Sequence, residues 1–530
     1  MKFRPSWRRF AAPLMALGLV VGLLGSTSAT GTAVAAGSGK TMTAVEVNIE
    51  WPNLDPALDN QESIDSNLMN AIYGQLFKQN PTAGCPGGCK NPGAVVPDLA
   101  KGYTVSPDGR TVTIQLRKGL RFQDGTPLNA AAVKFNIERD LAKSSVCLCK
   151  TNFAALKSIT TDGATAVQLH LSQRYVPLIK AFLNEAPNWM ASPTAIKQMS
   201  TEAFGQKPVG AGPFEVVSNR ASSALTLKAF PGYSLKGKPK LSTLKIITAS
   251  NDNAALEALQ AGTAQLLLGV ASPQIINEAR QGGFQVTQVD PIVTSTAELN
   301  NTVAPFNNLK AREALAYATD PKPIAAKLFP GTGSTAQSAQ PTGQFAEKTV
   351  PGYRSYNLAK AKALVKQLGG LSFKYIFVGT PLGQNVAEAL QHEWLQAGIH
   401  ATLDPVPLTK EVADVEVNNW QALAGASGGF DPDVGVQSIP SRYASNGTFT
   451  CCHDKALDAL INKSLTTTNT DARKSVFDQI YAHIAKNALS VNLYMTKLSF
   501  IASKNVTGLE PDPGEAPASA AVPWETLGMK

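Results

Sequence analysis

Residues 97–139, PDLAKGYTVSPDGRTVTIQLRKGLRFQDGTPLNAAAVKFNIER, decide the reading of this chain. Ser106-Pro107-Asp108-Gly109 is turn chemistry, because proline presets φ and glycine accepts a positive one. Thr111 to Leu116 alternates, with Val112, Ile114 and Leu116 on one face, which predicts a half-buried strand. Arg117-Lys118-Gly119 turns the chain, Leu120-Arg121-Phe122 restarts an extended segment, and Asp124-Gly125-Thr126-Pro127 turns it again. Asn129 then caps a helix whose Val133, Ile137 and Leu141 share a face. Strand, turns and helix make one compact α/β unit.

Outward from that unit, the chain of 530 residues is 44% hydrophobic and 16% charged, which suits two or three globular domains with real cores. Met1 to Ala36 reads as a signal peptide. It has a basic start (Lys2, Arg4, Arg8, Arg9), an apolar run from Phe10 to Leu24, and the small residues Ala33-Val34-Ala35 of a cleavage site. Pro13, Gly18, Gly22 and Gly25 break the run and argue against a membrane anchor. No cysteine follows it to carry a lipid, so the expected location is periplasmic or extracellular. Four of the charges behind the net +9 lie in that segment, leaving +5, and no run of like charges occurs. That balance argues against nucleic acid and against a polybasic membrane patch.

Six cysteines in an exported chain read as disulfides: Cys85, Cys89, Cys147, Cys149, Cys451 and Cys452, with the pairing open. Closure of Cys85 onto Cys89 suits the glycine-rich loop between them, and Cys451-Cys452 either bridge each other or pair outward. Strand and helix signals alternate along the rest of the chain, the pattern of α/β layers. Asn307 or Asn308, Asn357 and Asn385 each open a helix, and Gly262, Gly369 and Gly398 each stop one. Glu510 to Ala521 is Pro/Ala-rich enough to read as a tail.

The string at 97–139 closely resembles the signature of the peptide/nickel-type extracellular solute-binding proteins, the dipeptide- and oligopeptide-binding components of ABC importers. Pro208 to Phe214 (PVGAGPF), Asn300-Asn301 with Pro305-Phe306, Arg312 to Ala318 (REALAYA), Leu395 to Ile399 (LQAGI) and Asp431-Pro432-Asp433 resemble further elements of that family, in order. The resemblance implies a two-lobed α/β binding-protein fold with a hinge. The first lobe would hold 40–295 and 498–530, with 66–190 as an extra subdomain, and the second lobe 296–497. It also implies a small-molecule or peptide ligand clamped between the lobes, with an ABC permease and its ATPase as partners; no cofactor is expected, and a monomer is the default because the sequence leaves the oligomeric state open. A change of sequence character near Val293 to Asn301 and again near Thr496 to Phe500 places the expected hinge.

Gly425-Ala426-Ser427-Gly428-Gly429 resembles the surroundings of a serine-protease nucleophile. None of the five histidines, His170, His392, His400, His453 and His483, has the context of a partner base, so a small-residue loop beside a ligand is the stronger reading. Asp431 and Asp433, on either side of Pro432, read as a turn cap, and a metal site at Cys451, Cys452 and His453 lacks a second ligand cluster. The expected ligand-binding residues are Trp51, Asp55, Asn300, Asn301, Ser427, Gly428, Phe430, Asp431 and Arg442, the last because its fork matches a carboxylate. In peptide-binding relatives an aspartate just before the D-P-D loop pairs with the peptide's amino terminus. Gly428 stands there in this chain. An ammonium buried without a counter-charge is unfavourable, so either a shifted residue such as Asp431 supplies the charge, or the solute lacks a free amino terminus, and an amidated, acylated, sugar-like or metal-chelate solute then fits better. A secreted hydrolase, or a module feeding a sensor, is the alternative reading.

Overall fold

The computed structural model describes residues 40–530 apart from 48, 50, 52, 59–65, 83, 86–87, 89, 91–92, 292, 341, 430, 436, 448–451 and 512–520. The signal-peptide reading of residues 1–36 lies outside the described residues. No described helix is long and apolar enough to cross a membrane.

Two sheets carry the fold. The larger has seven strands, in the order Phe214–Arg220, Ala224–Ala229, Thr243–Ala249, Thr41–Val47, Leu266–Val270, Leu498–Ala502 and Gln285–Val289. Thr41–Val47 runs parallel to both of its neighbours, while Leu498–Ala502 is antiparallel to the two strands that flank it. LSFIA at 498–502 is buried at every position, as expected of a strand inserted inside a covered sheet. The smaller sheet has five strands, in the order Ile399–Val406, Leu371–Val378, Ala422–Gly428, Val293–Leu299 and Ser490–Asn492. Each sheet has its own apolar core, the first around Trp51, Phe214 and Trp524, the second around Phe373, Tyr375 and Trp394.

The chain passes from one sheet to the other twice, between Val289 and Val293 and between Asn492 and Leu498. The strand Val293–Leu299, expected to straddle the lobe boundary, lies wholly in the five-stranded sheet, so the first crossing precedes the expected hinge region. Its β-branched start, Val293-Thr294, already pairs with Gly428 and Ser427, and the loop after Leu299 lies at the far end of that strand. The second crossing is braced where Met495–Thr496 pairs with Gly333–Ser334.

Between the paired segments Gly74–Gln75 and Trp189–Met190, the chain builds a four-stranded sheet from Ala100–Val105, Thr111–Leu116, Ala166–Leu171 and Leu156–Asp162. Thr111–Leu116 matches its sequence reading, and Asn129 caps the helix Ala130–Asp140 by accepting from Ala132 N at 3.0 Å. Leu120 to Phe122 is extended as read, with Arg121 bridging to Pro127 across the Asp124-Gly125 turn, Phe122 N on Thr126 O at 2.9 Å and Leu128 N on Leu120 O at 3.0 Å. Gln123 ties this insertion to the first lobe, donating to Ile72 O at 3.0 Å and Phe214 O at 2.7 Å.

Three other expectations change. The helix read as starting at Asn385 begins at Pro381, capped by Thr380, because Thr-Pro supplies both a capping oxygen and the preset φ of a first turn. Most of the tail reading, residues 512–520, lies outside the described residues, and the chain after it enters the first core: Val522 and Trp524 are buried, and they donate to Asn67 Oδ1 and Asn67 O at 3.1 and 2.7 Å. Cys147 and Cys149 form a disulfide and Cys85 is disulfide-bonded, whereas Cys452 is a buried free thiol donating to Tyr443 O at 3.4 Å. No vicinal bridge therefore forms at Cys452; Cys89 and Cys451 lie outside the described residues.

Candidate ligand cleft

The strand Ala422–Gly428 ends at the first crossing, where its last residues face the start of Val293–Leu299. Gly428 and Gly429 hold φ of 133° and 154°, a backbone that side chains beyond glycine rarely adopt. Gly428 N donates to Gln437 O at 2.9 Å and Gln340 Nε2 donates to Gly429 O at 3.1 Å, so the loop between is fastened at both ends. Within it Asp431-Pro432-Asp433 forms the expected turn, with Asp433 N on Asp431 Oδ1 at 3.2 Å and Val434 N on Asp431 O at 3.0 Å.

Both aspartates point into protein and are fully buried, held by Arg473 from the helix Thr470–Lys486. Arg473 donates to Asp431 Oδ2 at 2.6 Å and Oδ1 at 2.5 Å, to Asp433 Oδ2 at 2.8 Å, and through Nε to Ser464 O at 3.0 Å. Its guanidinium stands 5.0 and 5.2 Å from the rings of Phe345 and Phe477. Burial pulls the Asp431 carboxyl upward, but Arg473 and Lys180 outweigh it and hold the group below its usual range. Burial pushes Asp433 up to about 7 despite Arg473, since Asp431 beside it adds a like charge.

Lys180 comes from the insertion in the first lobe, and its Nζ reaches Asp431 Oδ2 at 3.2 Å. Val176 N donates to Leu465 O at 2.8 Å along the same seam, and Val434 packs into the core of the insertion. Beside these contacts opens a cleft of about 450 Å³, within the range of small-molecule sites. Thr151, Gln173 and Tyr175 line it from the insertion, and Ser445, Asn446 and Asn462 from the second lobe.

Of the expected ligand-binding residues, Asp431 meets Lys180 at this seam, Ser427 and Gly428 end the strand just before it, none of the three lines the cleft, and Phe430 lies outside the described residues. Ser427 Oγ lies 3.3 Å from the Tyr443 hydroxyl and has no histidine partner in that contact; His483 instead pairs with Asp454 at 2.6 Å. The other expected residues serve the fold in this arrangement. Trp51 is core, its indole N–H on Asn219 Oδ1 at 3.0 Å. Asp55 is buried against the guanidinium of Arg139, whose Nη1 is 2.7 Å away. Asn300 spends its amide on Asn418, Trp420 O and Thr302, and Asn301 follows it with both side-chain polar atoms enclosed. Both sit beyond Leu299, opposite Ala422. A seven-residue strand separates them from Gly428, roughly 20 Å of extended chain. Arg442, offered as the partner of a solute carboxylate, is buried and donates to Glu298 Oε2 at 3.0 Å and to Gln437 Oε1. Burial raises the Glu298 carboxyl and Arg442 works against that rise, the mark of an internal ion pair. Lys180 and Arg473 were not foreseen. An acidic D-P-D turn calls for cations, but nothing local says which.

Residues 94–449 match the family described as bacterial extracellular solute-binding proteins, family 5 Middle. The glutathione-binding protein GsiB of Salmonella choleraesuis (strain SC-B67) is 28% identical over 494 residues, covering 89% of this chain and 92% of the relative. Among solved structures, AgaA of A. tumefaciens R10 in complex with agropinic acid superposes with a TM-score of 0.80 at 23% identity, over 93% of this chain and 99% of that one. NikZ of Campylobacter jejuni in complex with Ni(L-His) gives 0.76 at 20% identity, over 89% and 96%. The dipeptide-binding protein of Pseudoalteromonas sp. SM9913 in complex with Met-Leu gives 0.79 at 18%, over 93% and 100%. The fold is thus the two-lobed binding-protein fold, and the relatives are substrate-binding proteins rather than enzymes. The chain belongs to family 5 of the bacterial extracellular solute-binding proteins, the solute-binding components of ABC importers.

Proposed function

We propose that this protein captures a small polar solute lacking a free α-ammonium, closes its two lobes over it, and delivers it unchanged to an ABC permease driven by a separate ATPase. The protein acts as an exported monomer and needs no cofactor. One observation carries the choice of solute: the carboxylates beside the glycine pair are already neutralised. Gly428 has no side chain, and Asp431 and Asp433 are engaged by Arg473, with Lys180 on the outer oxygen of Asp431. A solute ammonium brought there would find no free counter-charge, and burying it would be unfavourable by several kcal/mol, on the order of the penalty for one ion. Acylated peptides, opine-like acids and metal chelates avoid that penalty. Agropinic acid and nickel–histidine, named for two of the solved relatives, are the solutes to try first, and glutathione, named for a sequence relative, is the contrasting case because its glutamyl residue keeps a free α-ammonium.

The test is native mass spectrometry of protein taken from its own host, to identify what copurifies, followed by thermal-shift titration. The panel pairs free dipeptides with their N-acetyl forms and adds glutathione, a neutral oligosaccharide and nickel–histidine. Tighter binding of the acetylated member of each pair is expected. Preference for the free amino terminus would overturn the solute assignment. Solute-dependent ATP hydrolysis by the reconstituted permease and ATPase would support delivery.

A further inference from the structure

Lys180 and Asp431 are separated by 251 positions and sit on opposite sides of the cleft, and each is rigidly based. Lys180 opens the short helical turn Lys180–Phe182, and Phe182 packs with Phe77 and Phe153 at 6.0 and 5.0 Å in the core of the insertion. The insertion is in turn fixed to the first lobe through Gly74–Gln75 pairing and Gln123. Asp431 is pinned to the second lobe by two bonds from Arg473. Arg473 is shared between Asp431 and Asp433, and Lys180 adds a second cation on the outer oxygen of Asp431. Its ammonium also stands 5.8 Å from the Phe345 ring of the second lobe.

We propose that Lys180 is an electrostatic latch between the lobes: its ammonium docks on Asp431 as they close and withdraws as they open, and so sets the closed-to-open ratio. This rests on the reading that the protein works by lobe closure. The chemistry suits a reversible contact. Lys180 keeps 34% of its side chain exposed, so its departure returns it to water without a large barrier. Asp431 keeps Arg473 when Lys180 leaves, so opening strands no unpaired buried carboxylate. The latch also holds the outer face of Asp431 closed to a cationic solute.

The test uses the full chain with nitroxide-bearing unnatural amino acids at the exposed positions Lys118 and Lys463, on the insertion and the second lobe, and reads the distance distribution by pulsed electron resonance. Lys180→Gln should lower the closed-to-open ratio about 2- to 5-fold, the range of partly exposed ion pairs. Lys180→Arg should restore it, and about 1 M NaCl should lower it in the wild type but not in Lys180→Gln. Two populations with the same ratio in wild type and Lys180→Gln would overturn the latch while leaving closure intact. One unchanging distance in every variant and salt would overturn closure and the latch together.

Discussion

Replacing Arg473 by leucine is the sharpest probe of the D-P-D loop, because the arginine is the shared partner of two carboxylates that solvent does not reach. The substitution removes two bonds to Asp431, one to Asp433 and one to Ser464 O, and leaves the aspartates facing each other beside Phe345 and Phe477, with the half-exposed Lys180 on Asp431 and the Ser464 hydroxyl on Asp433. Breaking a buried pair from one side costs about 3–5 kcal/mol. At about 2.1 cal/mol/K per residue, that is a fall in Tm of roughly 3–5 °C if the whole chain unfolds as one. It is roughly 7–12 °C if the second lobe, about 200 residues, melts by itself. Scanning calorimetry separates the two, since independent melting also splits the endotherm. The pH dependence has a defined sign. Without Arg473 both carboxyls titrate higher in the folded protein than in the unfolded chain, so the folded state binds more protons and gains stability as pH falls. The deficit against wild type should therefore be largest near pH 8 and shrink toward pH 5. A fall in Tm below about 1 °C, or a deficit that widens on acidification, would refute the ion cluster as described.

Glu46, buried in the first sheet, is pushed up to about 8 by burial, against a lowering contribution from Asn67, so wild-type stability should fall as pH rises from 4.5 toward 8. Glu46→Gln should flatten that slope in urea titrations across the same range. Gly212→Ala places a methyl 2.6–2.7 Å from the backbone of Ile72 and Tyr73, and should destabilise by about 1–3 kcal/mol, read as a lower urea midpoint. Trp394→Ala removes a fully buried ring from the second core and its bond to Thr319 Oγ1 at 2.9 Å; a loss of about 3–5 kcal/mol is expected in the same assay.

Local chemistry was legible in the sequence, and contacts between distant segments were not. The strand Thr111–Leu116 and the Asn129 cap depend on neighbours within a few residues, as does the helix Leu358–Leu368 between Asn357 and Gly369, and each stands as read. The D-P-D turn was also readable, because Asp431 bonds the backbone two positions on. Its electrostatics were not: Arg473 lies on a helix forty-two positions away, and an arginine in an amphipathic helix looks the same whether it meets solvent or a buried carboxylate. Arg442 illustrates the converse. Its charge suggested a solute, but Glu298, the one acid in the buried strand Val293–Leu299, takes it. Asn300 and Asn301 were placed near the solute by their nearness to a crossing, and strand direction carries them to the opposite end.

The position of Leu498–Ala502 inside the seven-stranded sheet bears on how the molecule is made. Leu266–Val270 and Gln285–Val289 leave the ribosome long before the segment that must sit between them, and no strand translated earlier fills that slot. The sheet that begins at Thr41 therefore stays open until nearly the last residues are translated, and the second lobe is synthesised in full while the first waits. Closing a gap of roughly two hundred residues is slow compared with local pairing, so the nascent chain carries an unzipped, apolar groove throughout the synthesis of the second lobe. Chaperone dependence should track that groove, and a truncation ending before Leu498 should be an efficient client.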